Sequence, residues 1–500
     1  MMVSAHGHPK RKYGKNEFSF VTLLKICAKK KDLREGSRLH SEIVKQGLLE
    51  KIPHIASSLI NMYAKCGMIA KAQELHDELH VQNIVSWNAL IAGYVQVGQG
   101  HEAWTCFEQM RNEGFSPNEI SYVCALKACS SIGAIGRCKQ IHDEVVQRGL
   151  PQTNIILGNA LIDMYAKCGM LVEAREVHND LSLRDVVSWS SLIAGYVQQG
   201  QGHEALNCFT QMQAERLSPN AVTFTCIVKA CANTEAIDKG TEIHSEIVQS
   251  DSLKCDIILA TALVEMYVKF NMLAKAEQVL DELPVGDAMI WNVLIAGYIE
   301  QGQSQEALDC FQRMQEEGLS PNIVSYIYIL KACGSIVSIK KGEQIHDEIV
   351  NRGLPEKENA LGTALVDMYA KCGQFVRAHE VLDQLSVRDV VAWSVLIAGY
   401  TLHGQGRDAI NSFDSMQIEG LSPDVVTLIS VLKACGSIGL LDRGKQIHDD
   451  IVRRSLLDRH DVLANALVDM YGKCGALTKA QLVHDQLPVQ NVSSWNALIS

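Results

Sequence analysis

The residues of this chain that most resemble chemistry are four histidine-acid motifs. His142-Asp143-Glu144 is an H-x-E, and the spacing recurs at His40, His244 and His346. A histidine and a glutamate so placed serve zinc-dependent deamination when a Pro-Cys-x-x-Cys supplies the other ligands. No Cys-x-x-Cys occurs anywhere, and a fifth copy, His448-Asp449-Asp450, lacks the glutamate. These histidines therefore read as ordinary helix residues. The sequence also shows no phosphate loop and no nucleophile elbow, so no enzyme activity, cofactor or metal is expected.

The 16 cysteines point the same way. Cys27, Cys129, Cys231, Cys333 and Cys435 recur in one register and Cys66, Cys168, Cys372 and Cys474 in another, where the remaining copy has Phe270. No metal site would accept that Phe, and nothing marks the chain as secreted. They are expected to be reduced, buried and small, the common fate of free cysteine.

What would position any working residue is a repeat. Trp87, Trp189, Trp291, Trp393 and Trp495 follow one another at intervals of 102 residues. Each interval holds three related segments, in the first block 84–118, 119–154 and 155–185, of 35, 36 and 31 residues. A self-similar period in the thirties marks a solenoid. The cycle is entered at its middle-type segment, 17–52, followed by a short one, 53–83. Four blocks follow, 84–185, 186–287, 288–389 and 390–491. A last segment, 492–500, stops inside its first helix, so the array is expected to continue in a longer protein. Residues 1–16 form a basic leader (Lys10, Arg11, Lys12, Lys15) without an apolar core, expected to be disordered.

Within a segment the apolar spacing is helical. Trp87, Leu90, Ile91, Tyr94 and Val95 make one face, Gly98 and Gly100 interrupt, and Ala103, Cys106, Phe107 and Met110 make a second, ending at Gly114 with Pro117 beyond. The short segment repeats the design around Cys168-Gly169, and its third copy has Phe270-Asn271 there. Asn tolerates the left-handed conformation best after Gly, so a turn is expected. Each segment is then a helical hairpin, about 28 helices in all. The fold class is all-α. The chain is 47% hydrophobic and 21% charged, which suits a folded protein. No apolar run approaches the roughly 20 residues that span a bilayer, so no membrane role is expected.

The Asn-Ala-Leu-Ile-Asp-Met-Tyr-Ala-Lys-Cys-Gly run at 159–169, the Leu-Lys-Ala-Cys at 126–129 and the Gln-Ile-His at 140–142 all recur in register. With the 35/36/31 cycle they resemble pentatricopeptide repeats, specifically the triplet class of plant organellar proteins that alternates P, L and S motifs. The resemblance covers residues 17–500. It implies a right-handed α-solenoid superhelix of helix-turn-helix hairpins that binds single-stranded RNA, one base per P or S repeat. It also implies a mitochondrial or chloroplast location and an adaptor role in C-to-U editing or transcript processing, with an editing or processing enzyme acting in trans.

In that family the fifth and last residues of a repeat read the base edge, and the second packs on its face. The P motifs here would read with Asn88 and Asn118, Ser190 and Asn220, Asn292 and Asn322, and Ser394 and Asp424. The S motifs would read with Ser57 and Asn83, Asn159 and Asp185, Thr261 and Asp287, Thr363 and Asp389, and Asn465 and Asn491. Val85, Val187, Met289 and Val391 would stack. The same small polar residues could merely cap helices and mark loops. Nine pairs confined to Asn, Ser, Thr and Asp at fixed offsets favour reading. By the family's rules the target resembles 5′-A-Y-n-U-A-n-G-Y-n-G-G-n-Y-3′, with n opposite each L motif. The L motifs carry Val123, Thr225, Ile327 and Ile429 in fifth place and are expected to space the reading repeats.

A net charge of −11 argues against binding held mainly by phosphates. In block 84–185 the first helices are expected to carry Lys127, Asp163 and Lys167, a small positive excess, with the acid on second helices. Affinity should then be modest and salt-sensitive. The rival reading is a protein-binding scaffold of the tetratricopeptide kind, whose uniform 34-residue period does not match.

Overall fold

The computed structural model describes residues 14–49, 52–79, 82–150, 154–250, 256–283, 286–354, 359–457 and 460–485, with Trp495, Asn496 and Leu498. The expectations for residues 1–13, for Asn491 and for most of 492–500 fall outside these. Among the described residues there are 28 α-helices and no strand. The first, Gly14–Lys30, begins inside the stretch read as a leader.

Two compact units emerge, Met1–Ser252 and Leu253–Ser500. In the first, Ile84–Gln96 packs on its hairpin partner Gly100–Asn112 and also on the neighbouring first helices, Pro53–Lys65 before it and Glu119–Ser131 after it. In the second, Ala288–Glu300 packs on Ser304–Glu316, on Ile257–Lys269 and on Ile323–Ser335. Within each unit the first helices thus form a continuous row. Each hairpin seals a thin core, here Trp87, Leu90 and Ile91 against Ala103, Phe107 and Met110, all buried. No hairpin could do so alone, and neighbours complete the burial.

Close approach within the row depends on glycine. A Cβ on Gly93 would lie 2.6 Å from the Cβ of Ala64, and one on Gly195 2.5 Å from that of Ala166. The turn expected at Phe270-Asn271 is there, with Asn271 at φ +60° where Gly67 and Gly169 take +80° and +75°. Gly98, at +78°, closes its helix, while Gly100 opens the next one instead of interrupting it.

Four of the five histidines of the recurring histidine-acid motif bind the stack together. Nδ1 of His40, His142, His346 and His448 lies 2.9, 2.7, 2.8 and 2.9 Å from the hydroxyl of Tyr63, Tyr165, Tyr369 and Tyr471. Each pair ties the second helix of an L segment to the first helix of the S segment that follows. Cys129, Cys231, Cys333 and Cys435 are fully buried, and burial pushes the Cys231 and Cys435 thiols up to about 11. Cys66, Cys168, Cys372 and Cys474 are only half-buried, because they sit in the turn that ends a helix.

Candidate functional site

The residues singled out for base reading occupy the N-terminal turns of the first helices. The last residue of one segment is the N-cap of the next helix, because a short acceptor side chain there satisfies backbone N–H groups left over by the helix. Asn118 accepts from Ser121 N at 3.0 Å, Asp185 from Ser188 N at 2.8 Å, Asn220 from Thr223 N at 2.9 Å and Asn322 from Ser325 N at 3.0 Å. Asp389 caps Ala392 N, Asp424 caps Thr427 N and Asp287 caps Met289 N in the same way. Asn83 accepts from both Val85 N and Ser86 N at 2.9 Å. Capping and reading are therefore compatible duties of one residue, since capping occupies a single oxygen.

Fifth and last residues meet across the hairpin. Asn88 Nδ2 donates to Asn118 Oδ1 at 3.1 Å, Asn292 Nδ2 to Asn322 Oδ1 at 3.2 Å and Asn159 Nδ2 to Asp185 Oδ1 at 3.2 Å. Ser57 Oγ and the Asn83 amide approach to 3.3 Å, and Ser394 Oγ lies 3.4 Å from Asp424 Oδ1. Ser190 meets Asn220 through Thr223, whose hydroxyl is 2.6 Å from Ser190 Oγ and 3.0 Å from Asn220 Oδ1. Thr261 instead donates to Ile257 O at 2.8 Å. Thr363 and Asn465 are half-buried on the first helices Asn359–Lys371 and Asp461–Lys473.

The polarity of the presented edge follows. Asn118 Oδ1 is taken up by the Ser121 backbone N–H and by Asn88 Nδ2, which leaves Asn118 Nδ2, a donor, without a protein partner among the described residues. Asp424 Oδ1 is likewise taken up by Thr427, so the oxygen left over is an acceptor. One scaffold thus offers opposite hydrogen-bonding character according to whether Asn or Asp ends the segment.

Clefts collect these groups. One of about 580 Å³ is lined by Ser57, Val85, Asn88 and Asn118 together with Lys25 and Ile120. Another of about 440 Å³, in the second unit, is lined by Met289, Asn292 and Asn322 with Val324 and Tyr328. Val85, Val187, Met289 and Val391 are each more than half exposed (51 to 59%). The equivalent L-segment residues, Ile120, Val222, Val324 and Val426, are exposed as well and were missed, although they stand in register with Val85.

Charge is distributed differently from expectation. Glu119 is the first helical residue of Glu119–Ser131, so the first helices of block 84–185 are neutral, with Glu119 and Asp163 against Lys127 and Lys167. Pairing matters more than the sum. Lys167, Lys371 and Lys473 bind Asp163, Asp367 and Asp469 at 2.7 to 2.8 Å. Lys25, Lys127, Lys229, Lys331 and Lys433, again 102 apart, are exposed and lack an ion pair among the described residues.

Comparisons with known proteins follow this geometry. A model of the PPR repeat family matches residues 82–131, 184–233, 286–335 and 388–437, and a PPR repeat model matches 18–48, 55–84, 159–186 and 363–390. In Arabidopsis thaliana, pentatricopeptide repeat-containing protein At5g27110 is 34% identical over 91% of this chain and 65% of its own length. The protein At2g03380, named as mitochondrial, is 31% identical over 95% of the chain and 68% of its length. At4g18520, named as chloroplastic, is 34% identical over 85% and 68%. The chain spans between about half and about two thirds of the length of these and similar relatives. The crystal structure of the pentatricopeptide repeat protein PPR10 from maize superposes with a TM-score of 0.59 at 17% identity, over 97% of this chain and 86% of that one. PPR10 in complex with an 18-nt psaJ RNA element gives 0.57 at 18% identity, over 96% and 76%.

Proposed function

The chain belongs to the pentatricopeptide-repeat family, and from that premise we propose that it binds single-stranded RNA, each P or S segment reading one base with its fifth and last residues. The observation that carries this is the cleft in which Val85, Asn88 and Asn118 converge, repeated by Met289, Asn292 and Asn322. An apolar side chain beside a polar pair of fixed hydrogen-bonding character suits a flat heterocycle with a patterned edge. The unpaired lysines of the L segments supply phosphate contacts at one per block, which keeps affinity modest and salt-dependent despite the acidic sum.

On this reading the 35/36/31 cycle is that of the P-L-S triplet class. The chain acts as an adaptor in the editing or processing of transcripts in a mitochondrion or chloroplast, the locations named for its relatives At2g03380 and At4g18520. The enzyme of that reaction acts in trans or in a further part of a longer protein.

A gel-shift titration tests the proposal. The 13-nucleotide RNA 5′-A-Y-n-U-A-n-G-Y-n-G-G-n-Y-3′ should bind at least tenfold tighter than its scramble, because each wrong base costs roughly 1–3 kcal/mol. Equal binding of both, or of neither, defeats it.

A further inference from the structure

The base-reading pair has a third, hidden member. At every junction from a P segment to an L segment, the third residue of the L segment bears a hydroxyl: Ser121, Thr223, Ser325 and Thr427, spaced by 102. All four side chains are completely buried, at 0% exposure, so none touches a ligand. Their partners are the presumed readers. Ser121 Oγ lies 2.7 Å from Asn88 Oδ1 and 3.0 Å from Asn118 Oδ1. Thr223 Oγ1 lies 2.6 Å from Ser190 Oγ and 3.0 Å from Asn220 Oδ1. Thr427 Oγ1 contacts Ser394 Oγ and lies 2.6 Å from Asp424 Oδ1. Ser325 Oγ lies 3.1 Å from Asn322 Oδ1 but does not hold the fifth residue, for Asn292 Oδ1 is buried with no partner among the described residues.

We propose that Ser121, Thr223 and Thr427 are positioning residues that decide which atoms the fifth residue shows to the base, an inference that rests on the base-reading function above. The last residue needs no such help, for its Oδ1 is already held by a backbone N–H of the helix it caps. The fifth residue has no backbone partner for its acceptor. An Asn amide in that place is ambivalent, since turning it by 180° exchanges donor and acceptor. The Ser121 hydroxyl donates to Asn88 Oδ1 and so occupies the acceptor, leaving N–H as the face toward the cleft. In the hydroxyl variant of the pair, Ser190 Oγ gives its only proton to Val186 O at 2.6 Å, so Thr223 must be the donor between them. Ser190 then has its donor committed and its position fixed.

A donor-only edge discriminates between the pyrimidines. Cytosine N3 accepts, whereas uracil N3 bears a proton that opposes a second donor. The 84–118 segment, with Asn88 locked and Asn118 presenting Nδ2, therefore prefers cytosine to uracil.

The test is a competition binding assay with the full chain and RNAs that differ only at the nucleotide opposite 84–118. The wild type should favour C over U about tenfold, the worth of roughly one hydrogen bond. Ser121→Ala should bring the two within about twofold, and Ser121→Thr, the residue native at 223 and 427, should retain the preference. Alanine suits this helical position, for Ala392 holds the equivalent place beneath Asp389 with its cap intact at 2.9 Å, and thermal unfolding of each variant monitors folding. If the wild type discriminates and Ser121→Ala discriminates equally, the hydroxyl has no positioning role. A wild type indifferent to all four bases there overturns base reading itself, and the inference with it.

Discussion

The P-to-L junction at Asn118 and the S-to-P junction at Asp185 use the same kinds of residue and hold them differently. At the first, the Ser121 hydroxyl bonds the side chain of Asn88 at 2.7 Å. At the second, the Ser188 hydroxyl bonds the backbone oxygen of Asp185 at 2.8 Å, and Asn159 Oδ1 is buried with no partner among the described residues. The next two S-to-P junctions have no hydroxyl, with Ile290 and Ala392 in its place. The final residues differ in step. Three of the four P segments end in Asn, and Asp185, Asp287 and Asp389 end three of the S segments. A carboxylate accepts at both oxygens and has no wrong way round, whereas an amide must be told which end to present. The Ser121 hydroxyl fixes the amide of Asn88, whereas the amide oxygens of Asn159 and Asn292 have no partner among the described residues, so the hold is particular to the junction.

The S-to-P junctions also differ among themselves behind the reading face, and the largest predicted effect lies there. His76 and His178 are buried against Trp87 and Trp189 with ring centroids 4.2 Å apart, Leu280 and Leu382 fill the same place in the next two copies, and His484 returns beside Trp495 in the last. Burial, with Arg184 and Arg175 nearby, pushes the His178 imidazole from its ordinary 6.5 down to about 4. The unfolded chain binds that proton first, so stability is complete above pH 6.5 and falls as pH drops toward 4. The expected loss is about 3 kcal/mol. Urea unfolding at pH 7 and pH 4.5 measures it, and His178→Leu should reduce the difference.

A second test changes the P-to-L side of the comparison. Ser190→Asn supplies an amide beneath the Thr223 hydroxyl and should move that segment from A toward a pyrimidine, a swing of about 2 kcal/mol in competition binding. An unchanged preference would make Ser190 a packing residue. Next in size, Asp185→Asn keeps the helix cap but places an amide where no hydroxyl is free to orient its neighbour. Selectivity for U at that nucleotide should weaken about tenfold, with no compensating gain for C of the kind proposed for 84–118.

The smallest effect concerns the tryptophans. Trp189 and Trp393 donate to Glu215 and Glu419 at 2.9 Å, and those glutamates are held by Arg184 and Arg388 at 2.8 and 3.0 Å. At the corresponding place near Trp291 stands Gly286, beside a cavity of about 470 Å³, and Trp291 Nε1 is buried without a partner among the described residues. Gly286→Arg should restore the Arg-Glu-Trp chain through Glu317 and raise stability by about 1 kcal/mol, read as a higher Tm.

Much of this was legible from residue order alone. The 102-residue register, the helical spacing of Trp87, Leu90 and Ile91, and the turn at Asn271 are local properties, and local properties repeat when sequence repeats. Residue order also singled out Asn88 and Asn118 as a pair, and the fold brings their side chains within 3.1 Å of each other. It did not reveal that Ser121 bonds Asn88 across 33 residues, because that contact exists only once neighbouring first helices have packed. Nor did it show that Lys167 is neutralised while Lys127 has no ion pair among the described residues. Which polar atoms are spent inside the protein and which remain to meet a ligand depends on distances between helices, and those are set by packing.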